Sequence, residues 1–161
     1  MSSLVRRSDP FRASVILVVE SEPASGALDT CRLLRGLGYR ADAAASGRAA
    51  LDCVQRQPGR IAAVLADVLL PGMDGGELAE RLRGTGPRVV LMIDRDRDGS
   101  EGAELLAAYP AIPTLEKPLT LSSLYSTLAV NLGIPPVNVP LRKPSGPLRP
   151  PRRSGERHTI R

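Results

Sequence analysis

Short apolar runs alternate along the chain with segments whose apolar residues recur every three or four positions. The runs at 15–19, 61–66 and 88–93 are almost unbroken by polar residues, which is typical of strands buried on both faces. Weaker strand patterns cover 39–44 and 112–115. Because helical patterns separate the runs, the chain predicts five strands alternating with five helices.

The predicted helices begin and end at residues that suit those positions. Pro23 is tolerated in a first helical turn, and Ser46 and Thr120 can act as N-caps. Glycines follow the first and third helical segments, as expected at helix ends. The helical patterns lie around 23–36, 46–57, 75–83, 100–109 and 120–132.

One side of the last predicted helix is apolar. We expect this stripe to pack against the core, and an exposed part of the helix to be available to a partner. Its members are Leu121, Leu124, Tyr125, Leu128 and Leu132.

This alternation predicts an α/β fold, a doubly wound parallel sheet of five strands covered on both faces. In such sheets ligands bind beyond the carboxyl ends of the strands, near the point where the strand order reverses. The residues predicted at that edge are Glu20, Ser21, Glu22, Asp67, Ile93, Asp94, Glu116 and Lys117.

The pattern divides the chain into an N-terminal extension (1–13), one domain (14–133) and a tail (134–161). The tail holds seven prolines, seven Lys or Arg and one Glu, and it has no apolar periodicity. We expect it to be disordered, unnecessary for folding, and able to attract acidic partners through its net charge of +6, or else simply to keep the protein soluble. The domain is nearly neutral and poor in aromatic residues, which argues against a nucleic-acid-binding face.

Two cysteines are too few for a disulfide framework, and Cys31 and Cys53 both fall on apolar helical faces. We expect both thiols to be buried and reduced. His158 is the single histidine, so a Cys/His zinc site is excluded. No apolar run is long enough for a membrane span or a signal sequence, which predicts a cytoplasmic protein.

The segment "AAVLADVLLPGMDGG" (62–76) ends a buried strand on Asp67 and then turns. Glu20 and Lys117 are predicted at the ends of two other strands, so two carboxylates and an ammonium group meet at one sheet edge. A carboxylate can accept a phosphoryl group covalently, a lysine can neutralise its oxygens, and acidic ligands can hold Mg²⁺. Pro118 suits a cis turn that would fix Lys117.

These residues belong to segments that resemble the response-regulator receiver domain of two-component phosphorelay signalling. Its motifs occur in the expected order across residues 14–133. The segments are "ILVVESEP" (16–23), "LLRGLGY" (33–39), "ASGRAALD" (45–52), "VLADVLLPGMDGGELAERLR" (64–83), "RVVLM" (88–92) and "LEKPLTLSSL" (115–124).

The resemblance implies a flavodoxin-like fold and assigns a role to each matching position. Asp67 matches the phosphoacceptor and Lys117 the lysine that contacts the phosphoryl group. Glu20, Asp67 and the backbone carbonyl of Leu69 match the Mg²⁺ ligands.

Four positions depart from the family pattern. Ser21 stands where an acidic residue usually binds the metal, so Mg²⁺ binding should be weak. Ile93 stands where a Ser or Thr usually contacts the phosphoryl group, and Asp94 adds negative charge after it. Thr114 replaces the usual aromatic, so the pair that switches on phosphorylation is missing. The run "DRDRDGSE" (94–101) is interpreted as a solvated mobile loop.

Two hypotheses follow. The first is a single-domain response regulator, not an enzyme, that takes a phosphoryl group on Asp67 from a histidine kinase or histidine phosphotransferase. With no DNA-binding or other output domain, it would signal by protein contact to a downstream partner or act as a phosphate sink. The second is a pseudo-receiver that binds proteins without phosphorylation. A dinucleotide enzyme lacks support, because no G-x-G-x-x-G follows the first strand.

Overall fold

The computed structural model describes residues 15–21 and 26–136, and its centre is a parallel sheet of five strands. The strand order is β2-β1-β3-β4-β5, which confirms the doubly wound α/β fold. The predicted N-terminal extension, Glu22, Pro23 and residues 137–161 lie outside the described residues. The strands are β1 (Val15–Val19), β2 (Arg40–Ala44), β3 (Ile61–Asp67), β4 (Arg88–Ile93) and β5 (Thr114–Glu116).

Helices follow the strands and cover both faces of the sheet. Ser46 caps the second helix and Thr120 caps the fifth, in a reciprocal capping box with Ser123, so both predicted caps are confirmed. The helices are α1 (Gly26–Gly36), α2 (Gly47–Arg56), α3 (Gly75–Leu82), α4 (Arg95–Ala108) and α5 (Leu121–Tyr125), and a π-helical segment (Ser126–Asn131) continues α5.

The core consists of two apolar layers, one on each side of the sheet. On one side α1 and α5 pack through Leu34, Leu124 and Leu128. On the other side α2 and α3 pack through residues that include Val54 and Leu78. Because β1, β3 and β4 are buried on both faces, they carry the continuous apolar runs that the sequence shows.

The prediction of a mobile loop at 94–101 is wrong, because α4 begins at Arg95. The Asp94 carboxylate caps the helix by accepting hydrogen bonds from the backbone N–H groups of Asp96 and Arg97, both at 3.2 Å. Acidic side chains in a first turn also interact favourably with the helix dipole. Gly99, at φ 55°, interrupts the helix, and this interruption explains why the sequence pattern concealed it.

The prediction that the whole last stripe faces the core is only half right. Leu124 and Leu128 are fully buried, but Leu121 and Tyr125 are 48% and 47% exposed. The chain widens into a π-helix after Tyr125, with the Leu132 N–H donating to Thr127 O. This wider turn rotates the following residues relative to an ideal α-helix, so one straight stripe cannot describe the segment.

Three smaller observations complete the fold. Cys31 is buried as predicted, but Cys53 is only partly buried, which corrects that expectation; both are free thiols. The described chain keeps contact with the core beyond residue 133, because Tyr39 Oη donates to Ile134 O at 2.6 Å. Within residues 15–21 and 26–136, no helix is long and apolar enough to cross a membrane.

Candidate functional site

Lys117 joins the two carboxylates predicted at the sheet edge. Its Nζ lies 2.8 Å from Asp67 Oδ1 and 3.3 Å from Glu20 Oε1. The three residues follow or end three different strands, so only the folded sheet brings them together. Their side chains are 20% (Lys117), 14% (Asp67) and 3% (Glu20) exposed, which leaves Asp67 reachable and Glu20 enclosed.

Glu20 is held against α1. The Thr30 hydroxyl donates to Glu20 Oε1 at 3.3 Å. Gly26 borders the other carboxylate oxygen so closely that a Cβ at residue 26 would overlap it. These contacts enclose Glu20 between Lys117 and the start of α1, and they fix its carboxylate beside the sheet edge.

Partial burial makes Asp67 more basic than an ordinary aspartate. Desolvation raises the pKa of Asp67 from 3.8 to about 6, with smaller contributions from the charges of Glu20 and Asp98, while Lys117 opposes the rise. At neutral pH the carboxylate is therefore mostly ionised. It combines the negative charge of a nucleophile with a basicity above that of a surface aspartate.

Lys117 is fixed as a cation. Burial alone would lower the pKa of Lys117, but the hydrogen bond and charge of Asp67, together with Glu20, raise it above its usual value. The Lys117 backbone N–H donates to Ile93 O at 2.8 Å, and the peptide bond to Pro118 is cis. The ammonium group is thus held beside Asp67 by its own backbone as well as by the two carboxylates.

A polar cleft of about 370 Å³ opens over Asp67. Ser21 and Leu69, both named from the sequence, line it together with Asp67. The other lining residues are Leu70, Pro71, Arg97, Asp98 and Glu101.

The remaining predicted positions lie away from this cleft. Ile93 is buried in the core, Thr114 is exposed on β5, and the Asp94 carboxylate is occupied by the backbone of α4. The negative charge that enters the cleft from this part of the chain comes from Asp98 and Glu101.

Sequence reasoning missed the three charged residues that α4 contributes. Arg97, Asp98 and Glu101 line one side of the cleft. Their spacing of three and four places them on one face of a helix, which was the signal that could have found them. The alternating charges and Gly99 pointed instead to a loop.

The oxygen donors at the sheet edge suit a hard cation in kind but are few in charge. Mg²⁺ prefers carboxylate, carbonyl and water oxygens. Glu20, Asp67 and the Leu69 carbonyl supply such oxygens, while Ser21 offers only a neutral hydroxyl. Among the residues that the structure describes, no group of three or more His, Cys, Asp or Glu side chains is arranged to hold a metal ion.

Comparison with known proteins gives one consistent family. The family model of the response regulator receiver domain matches residues 16–129. A response regulator receiver protein of Burkholderia phymatum superposes with a TM-score of 0.62 at 32% identity, covering 80% of this chain and 99% of that one. A receiver domain protein of Clostridium thermocellum has the same TM-score at 22% identity, covering 75% and 94%, and it supports the fold alone.

Curated relatives are longer proteins. The sensor kinase CckA of Brucella abortus is 31% identical over 123 residues, which are 76% of this chain and 13% of that protein. The transcriptional regulatory protein TcrA of Mycobacterium tuberculosis is 47% identical over 68 residues, which are 42% of this chain and 26% of that protein. With the five-stranded parallel sheet and the family match over most of its length, the chain belongs to the response regulator receiver domains of two-component signalling.

Proposed function

We propose that this receiver domain accepts a phosphoryl group on Asp67 from a histidine kinase or a histidine phosphotransferase. The observation that carries the proposal is the contact of Lys117 Nζ with Asp67 Oδ1 at 2.8 Å, beside an open cleft. An Asp67 oxygen attacks phosphorus, the P–N bond to the donor histidine breaks, and its electron pair remains on the imidazole nitrogen, which takes up a proton from water. The product is an acyl phosphate on Asp67.

Lys117 provides the fixed positive charge for this transfer. Its ammonium group lies between the two carboxylates, so it can follow the phosphoryl oxygens as they approach Asp67. We infer that Glu20, Asp67 and the Leu69 carbonyl hold Mg²⁺, whose positive charge offsets that of the phosphoryl oxygens. We expect this binding to be weak, because Ser21 adds no negative charge.

The output we propose is contact with a downstream protein, or removal of phosphoryl groups from a shared pathway. The domain is then a signalling module rather than an enzyme, working in the cytoplasm where its kinase partners present their phosphohistidines. The basic tail, which lies outside the described residues, adds a second contact with an acidic partner in this proposal.

The test is intact-mass analysis after incubation with acetyl phosphate and Mg²⁺, and then with a phosphorylated histidine phosphotransferase. The wild type should gain the mass of one phosphoryl group, and Asp67→Asn should gain none. Asp42→Asn, which removes an exposed carboxylate on β2, is the matched control and should be labelled like the wild type. Equal labelling of Asp67→Asn and wild type would refute the acceptor assignment.

A second candidate function is a pseudo-receiver that binds a partner without phosphorylation. It is favoured by a specific observation: Ile93 is buried in the core and Thr114 is exposed, so neither forms the hydroxyl–aromatic pair of the family. In that case neither phosphoryl donor labels the wild type. A partner would then bind the wild type and Asp67→Asn with equal affinity.

A further inference from the structure

A phosphoryl group on Asp67 would enter a cleft that is already acidic. Asp98 and Glu101 line the cleft opposite Ser21, and a phosphoryl group brings a charge of about −2. Ile93 has no polar atom in its side chain that could donate a hydrogen bond to the phosphoryl oxygens. Apart from Lys117, which contacts Asp67 directly, the cation that borders this space in the described part of the chain is Arg97.

We propose that Arg97 binds the phosphoryl oxygens on Asp67 and takes over the donor role that Ile93 cannot fill. This inference rests on the proposed phosphorylation of Asp67. A guanidinium group presents several N–H donors in a planar array, which matches the oxygens of a phosphoryl group better than a single hydroxyl does.

The start of α4 places Arg97 for this role. Asp94 Oδ1 accepts the Arg97 backbone N–H at 3.2 Å, which fixes the backbone of the first turn at the rim of the cleft. The Arg97 side chain itself is exposed, so it can reorient when a phosphoryl group arrives. Gly99 separates this turn from the rest of α4, whose Gly102 packs near Ile93 and Val68.

Charge balance favours the same assignment. The acidic cleft repels small phosphoryl donors, which are themselves anions, and Arg97 reduces this repulsion at the entrance. Loss of Arg97 should therefore slow labelling and shorten the lifetime of the acyl phosphate only through contacts at the cleft. The folding core should be unaffected, because exposed side chains away from it contribute little to stability.

Arg95 is a matched control two residues away. Its guanidinium Nε lies 2.9 Å from Glu116 Oε1 in an exposed ion pair, and it does not line the cleft. Arg97→Gln and Arg95→Gln make the same chemical change and remove the same charge. They differ in whether the lost group borders Asp67.

The experiment measures labelling of Asp67 by acetyl phosphate with Mg²⁺, and beryllofluoride binding by thermal shift, in the wild type, Arg97→Gln, Arg97→Lys and Arg95→Gln. Arg97→Gln should be labelled about tenfold more slowly and bind beryllofluoride correspondingly more weakly, because a charge-assisted hydrogen bond is lost. Arg97→Lys should recover part of the rate. Arg95→Gln should behave like the wild type, and all four unliganded proteins should share one thermal midpoint.

The outcomes separate this inference from the function on which it rests. If the wild type is labelled and Arg97→Gln is labelled equally fast, the role of Arg97 is refuted while Asp67 remains the acceptor. If Arg95→Gln slows labelling as much as Arg97→Gln, the effect is a general loss of charge, and the specific contact is refuted. If the wild type is not labelled by any donor, the proposed function fails and the inference fails with it.

Discussion

The backbone carbonyl oxygen of Asp67 lies against Gly75, so closely that a Cβ atom on residue 75 would approach it to 2.5 Å. The same Cβ would approach Leu91 Cδ2 to 2.8 Å. Asp67 pairs with Met92 in the sheet, so its backbone cannot easily move away. The absence of a side chain at residue 75 therefore lets α3 begin beside the proposed phosphoacceptor.

Gly75→Ala should lower the free energy of unfolding by about 1–3 kcal/mol, because the new methyl group overpacks a site bounded by backbone. Gly36→Ala is the control, since a Cβ there meets nothing within 4 Å and the position is helical. That control should leave stability unchanged or raise it by up to about 1 kcal/mol. Urea denaturation measures both. A Gly75→Ala variant as stable as the wild type would contradict the close contact.

The raised pKa of Asp67 makes labelling depend on pH. Only the ionised carboxylate is nucleophilic, and its pKa is raised to about 6 by burial, so the rate should fall about tenfold from pH 8 to pH 5. The rate of acetyl phosphate labelling, measured by intact mass at constant ionic strength, gives this profile. A rate that stays level down to pH 5 would show that Asp67 titrates like an exposed aspartate.

The same shift predicts how stability depends on pH. The folded-state pKa of about 6 exceeds the unfolded value near 4, so between these values the folded state binds more protons than the unfolded state. The Asp67 contribution to stability is therefore favourable below pH 4 and is lost as pH rises through 6. Asp67→Asn should be more stable than the wild type at pH 8, by about 1–3 kcal/mol relative to the difference at pH 4. Thermal unfolding at both pH values tests the sign.

Ser21→Asp should tighten Mg²⁺ binding. Ser21 lines the cleft with Asp67, and a hard cation gains most from an added anionic oxygen. We expect the dissociation constant to fall by about tenfold or more. Ser122→Asp, on an exposed position of α5, is the control and should bind Mg²⁺ like the wild type. Calorimetric titration compares the three proteins, and equal affinities would show that residue 21 does not face the metal.

How much of this structure the sequence predicts depends on burial. β4 was predicted with both ends correct because strands buried on both faces carry unbroken apolar runs. β5 was displaced by two residues, because it is short and bordered by Pro113 and Pro118. The helix α4 was missed at its start, since Gly102 is its one buried residue and little apolar periodicity remains.

The candidate site divides in the same way. Glu20, Asp67 and Lys117 could be predicted, because each directly follows or ends an apolar strand and parallel strands bring such ends together. Arg97 and Asp98 could not, because their position depends on how Asp94 starts a helix at the edge of the sheet. That arrangement is a tertiary one, and a charged segment with a glycine is compatible with both a loop and a helix.

Beryllofluoride should produce little rearrangement across residues 100–125. Ile93 is buried and Thr114 exposed, so the two cannot exchange contacts when Asp67 is occupied. A ligand that makes no differential contacts in two states cannot shift their populations. Amide chemical shifts should change near Asp67 and Ser21, which report binding itself. Large changes throughout α4, β5 and α5 would show that another switch replaces the missing pair.

The basic tail provides a separate prediction about partners. Residues 137–161 carry a net charge of +6, and a functional contact with an acidic partner should weaken as salt rises. Removing these residues should abolish that contact without affecting labelling of Asp67. Binding of an acidic peptide or of anionic vesicles at 0.1 M and 1 M salt tests this, with screening lengths of about 10 Å and 3 Å. A tail that binds neither acts only as a solubilising extension.

Ile134 sets where the chain can be cut. Its carbonyl accepts the Tyr39 hydroxyl at 2.6 Å, its N–H donates to Leu128 O at 2.8 Å, and its side chain packs against the core cluster that contains Leu124. Truncation after Pro136 should therefore leave the thermal midpoint unchanged, whereas truncation after Gly133 should lower it by several degrees. Tyr39→Phe removes one of these hydrogen bonds and should cost about 1 kcal/mol. Equal midpoints for the two truncations would show that residues 134–136 add nothing to the fold.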